Sequence, residues 1–136
     1  MQSFHNISRL SRLPLIFLAT VFFTSCAGLP LTNHKGVTHV VVVWLKRHGN
    51  ADDQSKLIAA AKSLKSIDGV RSVDVGTMLP SKRPIVDSTY DVAVVFRFSD
   101  EKSLRAYEKN PVHLRVVKEV LKPLSSKLLI YDFVEK

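Results

Sequence analysis

The chain has a single cysteine, Cys26, among its 136 residues. One thiol excludes an intramolecular disulfide, so the fold must be held by packing. No zinc-finger, RNP or P-loop spacing occurs, and no arginine cluster is interleaved with aromatic residues. The formal charge of +8 therefore reads as a solvated basic surface, not as a nucleic-acid interface. Arg9 and Arg12 account for two of those charges, which leaves +6 for the remainder. The others are scattered: Lys56, Lys62 and Lys65 on one candidate helix, Lys82 and Arg83 in a loop, Lys118 and Lys122 on another helix. Such a surface can still attract an anionic membrane or substrate. There is no haem or flavin motif, no internal repeat and no low-complexity tract, and neither cofactor nor metal is expected. The length leaves room for one domain, and the apolar fraction of 46% supplies a core for it.

The N-terminus reads as a targeting segment. Arg9 and Arg12 precede the apolar run 13–23, which is too short to cross a membrane comfortably, and Thr24-Ser25-Cys26 follows. A positive region, a short apolar region and small residues at a junction are the parts of a signal peptide, here 1–25. Ser25-Cys26 resembles a bacterial lipoprotein signal, in which the cysteine becomes the lipidated first residue. Phe23 stands where such signals usually carry an aliphatic residue. Lipidation of Cys26 implies a membrane-anchored address at the bacterial cell envelope. Cleavage nearby without lipidation would give a secreted or periplasmic protein, and an uncleaved anchor is a third reading. Residues 26–36, interrupted by Gly28, Pro30 and Gly36, read as a tether, with His34 solvated within it. The folded domain is expected over 37–136.

From residue 37 the elements alternate. A strand over 37–46 centres on four consecutive valines, Val40 to Val43. His48-Gly49 makes a turn, Asn50 or Asp52 caps a helix reaching about residue 67, and Gly69 ends it. Strands follow over 70–79 and 90–98, separated by a polar loop. Ser99 caps a helix with Asp100 and Glu101 in its first turn, and Asp91 terminates or braces the sheet. A helix resumes at Pro111 and stops near Pro123, and the last strand runs over 127–134. The order β-α-β-β-α-β is the ferredoxin-like arrangement, an α+β fold with a four-stranded antiparallel sheet and helices on one face. A sheet wet on one side should alternate apolar and polar residues. Val40 to Val43, Val92 to Phe96 and Leu128 to Ile130 do not. Two helices cover only one side, so the other face is expected to meet a second copy, giving a homodimeric α/β barrel. Trp44 belongs to core or dimer packing.

Residues 107–114, Tyr-Glu-Lys-Asn-Pro-Val-His-Leu, carry the chemistry. Asn110 can cap a helix and Pro111 suits its first turn. His113 then falls at the third helical position, where the helix dipole disfavours a charged imidazole. His39 opens the first strand. A neutral His113 can act as a base, with Tyr107 and His39 as donors to a developing oxyanion. Each also has a structural explanation: Tyr107 as an amphipathic core residue, His113 as a buttress of the helix junction, His39 as a satisfied strand-edge residue.

Several runs together resemble the stress-responsive A/B barrel (Dabb) family. They are Thr38-His39-Val40-Val41-Val42-Val43, Asp68-Gly69-Val70, Val75-Gly76, Tyr90-Asp91-Val92-Ala93-Val94-Val95-Phe96 and Ser99-Asp100-Glu101. Residues 107–113 and Val120-Leu121-Lys122-Pro123-Leu124 complete the set. The resemblance implies a dimeric α+β barrel with a pocket between sheet and helices. The best-defined enzyme type of the family is a plant polyketide cyclase, which closes a ring by intramolecular aldol condensation. Its strand histidine corresponds to His39, and its helix tyrosine and histidine to Tyr107 and His113. A further pocket histidine on the third strand has no counterpart; Val92 stands there.

Two function classes stay open. One is an envelope protein that binds a small, largely apolar ligand without catalysis, which an envelope address favours because a polyketide substrate is more naturally cytosolic. The other is a cofactor-free, aldol-type enzyme acting on a carbonyl compound through His113, Tyr107 and His39. Monooxygenases sharing the ferredoxin-like dimer form a third class, with no motif in its support.

Overall fold

The structure is a computed structural model and describes residues 35–136. The expected signal peptide 1–25, Cys26, His34 and nearly all of the expected tether 26–36 lie outside the described residues.

The valine run forms β1 (Val37–Leu45), as β-branched side chains on a pleated surface favour. It ends at the His48-Gly49 turn, where Gly49 takes a φ of 72° that a side chain would resist. Asn50 caps α1 (Ala51–Ser63): its side-chain oxygen accepts the Asp53 N–H at 3.0 Å. Asp52 and Asp53 in the first turn and Lys62 in the last complement the helix dipole. The helix tightens into a 3₁₀ turn, Leu64–Ser66, before the chain reverses at Gly69. Gly69 has a φ of 88°, and a Cβ there would lie 3.0 Å from the Cβ of Ser103. Strands β2 (Val70–Thr77) and β3 (Val92–Phe98) pair antiparallel, with a register shift between Val70 and Ser72.

Asp100, not Ser99, caps α2 (Glu101–Glu108): its carboxylate accepts the Ser103 N–H and hydroxyl at 2.8 and 2.9 Å. Ser99 instead accepts a hydrogen bond from Arg71. Asn110 caps α3 (Pro111–Val116), accepting the Val112 N–H at 2.9 Å, with Pro111 in the first turn as expected. The chain continues through a π turn, Val117–Leu121, and a last helical turn, Lys122–Leu124. Pro123 lacks the N–H that an α-helical ladder would require, and the wider turn precedes it. Strand β4 (Ser125–Val134) closes the chain. Two strands are shorter than expected, β2 ending at Thr77 and β3 starting at Val92, while β4 begins two residues early.

The sheet order is β2-β3-β1-β4, all neighbours antiparallel, with the helices on one face. Odd-numbered residues of β1 and even-numbered residues of β3 face the helices. Val41, Val43, Val94, Phe96 and Phe98 pack there against Leu57, Ala61, Leu64, Leu104 and Tyr107. The opposite face carries Val40, Val42 and Trp44 from β1, Val95 from β3, and Leu129, Tyr131 and Phe133 from β4. Tyr131 and Phe133 are more than half exposed on it.

Asp91 braces the sheet end. It is buried and accepts the Leu45 N–H at 2.8 Å, the Gly49 N–H at 2.6 Å and His48 Nδ1–H at 3.0 Å. Burial pushes its pKa up, but the two backbone donors and His48 outweigh that and hold it below the usual carboxylate value. Arg47 similarly clamps the buried Asp53 at the start of α1, through Nε at 2.8 Å and through Nη2.

Candidate functional site

A cavity of about 250 Å³ lies between the helix-side face of the sheet and the helices. Its walls are largely apolar. Val43, Leu57, Ala61 and Leu64 line one part, and Val94, Val117, Leu121 and Leu128 contribute further aliphatic surface. The polar groups in the lining are His39, Tyr107, Glu108 and His113. The strand histidine, the helix tyrosine and the helix histidine singled out in the sequence thus share one cavity.

The three are brought together by different devices. His39 is an odd-numbered residue of β1, so its ring points to the helix side, where it lies 5.8 Å from Phe96 between centroids. Tyr107 comes from the last turn of α2 and is 1% exposed. Its ring meets Phe96 at 5.4 Å, Phe98 at 5.1 Å, His39 at 6.3 Å and His113 at 4.3 Å. These spacings are those of attractive tilted and edge contacts. His113 follows the Asn110-Pro111 break between α2 and α3, which sets its ring beside that of Tyr107.

Each polar group has a defined state. The carboxylate of Asp132 can only accept, so His39 Nδ1–H donates to Asp132 Oδ1 at 2.5 Å, and His39 Nε2 makes no hydrogen bond to a described residue. His113 Nδ1–H donates to the Glu108 carbonyl oxygen at 3.2 Å, leaving its Nε2 bare in the same way. Burial lowers the His113 pKa, and the neighbouring His39 adds to this; the Glu108 carbonyl works in the opposite direction. Burial is the leading cause of the lowered value, and it is one of the two causes, with the helix N-terminus, that the sequence suggests. Burial also pushes the Tyr107 phenol well above its ordinary value, so it is a donor and not a phenolate. The Tyr107 hydroxyl makes no hydrogen bond to any described residue, and Tyr107 is part of the cavity wall.

The family model for the stress responsive A/B barrel domain, Dabb, matches residues 37–135. The chain belongs to this family. Among solved structures, the Dabb domain is similar to a Dabb family protein with a ferredoxin-like fold from Mesorhizobium loti. The two are 25% identical, with 75% of this chain and 98% of that chain covered and a TM-score of 0.63. A dimeric ferredoxin-like protein of unknown function from Thermobifida fusca is 21% identical over 75% of this chain and 92% of that one, with a TM-score of 0.62. A hydroxynitrile lyase from Passiflora edulis is 18% identical over 76% and 93%, with a TM-score of 0.66. No curated protein sequence matches the chain.

Two features of the Dabb site differ from the sequence reading. Asp132 was missed: it faces His39 directly across the β1–β4 ladder, a pairing that joins residues 93 apart. Val92, set in the place of a third-strand pocket histidine, is fully buried but outside the lining; β3 contributes Val94 and Phe96 instead. Among the described residues no cluster of three or more His, Cys, Asp or Glu is arranged to hold a metal, and no helix is long and apolar enough to cross a membrane.

Proposed function

We propose that this Dabb domain binds a small, largely apolar molecule carrying one neutral oxygen, held between sheet and helices. The observation that carries the reading is the Tyr107 hydroxyl: a donor on a side chain 1% exposed, without a hydrogen-bond partner among the described residues, in an apolar cavity. A ligand oxygen placed there would gain a hydrogen bond, typically worth about 1 kcal/mol, that a hydrocarbon would not. The bare Nε2 of His113 is an acceptor suited to a hydroxyl proton. Among the described residues no lysine or arginine lines the cavity, and Glu108 does, which disfavours a carboxylate ligand. An apolar cavity of about 150 Å³ accommodates benzene, so about 250 Å³ suits a substituted single ring or a short branched chain.

A second reading is supported by the His39–Asp132 pair. A histidine whose Nδ1–H is held by a carboxylate has its ring fixed, with Nε2 as the nitrogen that can act as a base. With Tyr107 donating to an oxyanion, the site has the parts for cofactor-free proton abstraction beside a carbonyl, as in aldol-type ring closure. A hydroxynitrile lyase shares the fold.

The domain is further proposed to act as a homodimer through its open sheet face, anchored at the bacterial envelope by lipidated Cys26. The apolar open face and the dimeric relatives support the first part. The Ser25-Cys26 junction supports the second. Native mass spectrometry of the purified protein tests the ligand reading. A bound small molecule should accompany the wild type and be depleted in Tyr107→Phe. Equal retention by both would contradict it.

A further inference from the structure

The segment between β2 and β3 carries the two most exposed large apolar side chains of the described residues, Leu79 at 81% and Ile85 at 86%. The segment is nonetheless held in shape. At its base the Met78 N–H donates to the Asp91 carbonyl at 3.2 Å, and the Asp91 N–H to the Val43 carbonyl at 2.9 Å. At its tip the Val86 N–H donates to the Arg83 carbonyl at 3.0 Å, a turn with Pro84 in the position that favours proline. On its returning limb the Asp87 carboxylate accepts both the N–H and the hydroxyl of Thr89, at 2.8 and 2.7 Å.

That limb is tied to the open face of the sheet. Trp44 shares this face with Val40 and Val42. Its indole N–H donates to the Thr89 hydroxyl at 2.8 Å, and its ring meets Tyr90 edge-on at 6.4 Å. The returning limb of the loop is thereby fixed to the edge of the open face, where Lys127 Nζ lies 4.1 Å over the Trp44 ring. A loop already ordered loses little conformational entropy on docking.

We propose that residues 78–91 are the clasp of a homodimer, with Leu79 and Ile85 of one copy packing against the second copy. The proposal rests on the dimer reading of the open face. Two features favour a second copy as occupant. The loop is fixed to the edge of a sheet face whose apolar residues extend over β1, β3 and β4. In a two-fold pair each such loop meets the other copy once, so the contact closes on itself. An anionic membrane would also suit Leu79 and Ile85 beside Lys82 and Arg83. The chain, however, enters β1 at Val37, at the end of the strand opposite the loop. A lipid anchor upstream would draw that opposite end to the bilayer.

The test is sedimentation equilibrium of the wild type and of a Leu79→Ser, Ile85→Ser double variant, with far-UV circular dichroism of both. The dimer dissociation constant should rise at least tenfold in the variant while the spectrum is unchanged. A benzophenone amino acid at position 85 should, on irradiation, trap a covalent species of twice the chain mass. An unchanged dissociation constant with no trapped dimer would overturn the clasp. So would loss of flotation with phosphatidylglycerol vesicles in a variant whose dimer is intact. A wild type that is monomeric at micromolar concentration would instead remove the dimer reading itself, and the clasp with it.

Discussion

His39 and Asp132 stand opposite each other in the β1–β4 ladder, and the imidazole Nδ1 lies 2.5 Å from the carboxylate. That pairing fixes the ring and leaves its Nε2 bare in the neutral form. Asp132→Ala should free the ring to exchange tautomers. Nitrogen-15 NMR at pH 8 should show one protonated and one bare ring nitrogen for His39 in the wild type, and two averaged signals in the variant. Identical spectra would mean that Asp132 does not orient the ring.

His113 makes stability depend on pH in a definite direction. Its folded-state pKa lies below the unfolded value of 6.5, chiefly through burial. The unfolded chain then binds more protons between those two values, so stability is full above about pH 6.5 and falls as pH drops through the lower, folded value. Urea denaturation at pH 8, 6 and 5 should show this loss, and His113→Gln should flatten it. A slope unchanged by the substitution would assign the effect to other groups.

Asp91 is a structural residue. Asp91→Ala leaves the Leu45 N–H without its acceptor in a buried setting, together with the Gly49 N–H. Hydrogen bonds to charged groups contribute about 1.5–3 kcal/mol each, so the loss should be about 3 kcal/mol. Because the folded pKa of Asp91 is lowered, its contribution is present above pH 3.8 and is lost as pH falls through the lower folded value. Chemical denaturation at pH 7 measures the first part; a change under 1 kcal/mol would contradict it.

The open sheet face carries the proposed dimer. Val42 sits opposite Leu129 at its centre, and both side chains point away from the helices. Val42→Asp should therefore yield a folded monomer with the cavity retained. A variant that stays dimeric would place the interface elsewhere. One that unfolds would show that the face supports the protomer as well.

Much of this fold is legible in the sequence because its signals are local. Four consecutive valines specify β1, Gly69 specifies a reversal, and Asn110-Pro111 specifies a helix start; each acts through the conformation of its own residues. The cap of α2 shows the limit. Ser99 and Asp100 are both capable caps, and the outcome depends on Arg71, across the sheet, engaging Ser99. Asp132 was beyond sequence reasoning for a similar reason, since its role depends on the register between strands at opposite ends of the chain. Tyr107, His113 and His39, which line one cavity, were identifiable as candidates, but through the family resemblance more than through spacing. Which force keeps His113 neutral required knowledge of the packing around it.

The claim that Tyr107 anchors an oxygen-bearing ligand is tested most directly by paired titrations. Binding of a monosubstituted benzaldehyde and of the matched alkylbenzene, which lacks the oxygen, can be measured by NMR for the wild type and for Tyr107→Phe. A hydrogen bond contributing about 1 kcal/mol predicts a preference of about fivefold for the aldehyde in the wild type, and its disappearance in the variant. A preference that survives the loss of the hydroxyl, or the failure of both probes to bind the wild type, would contradict the account.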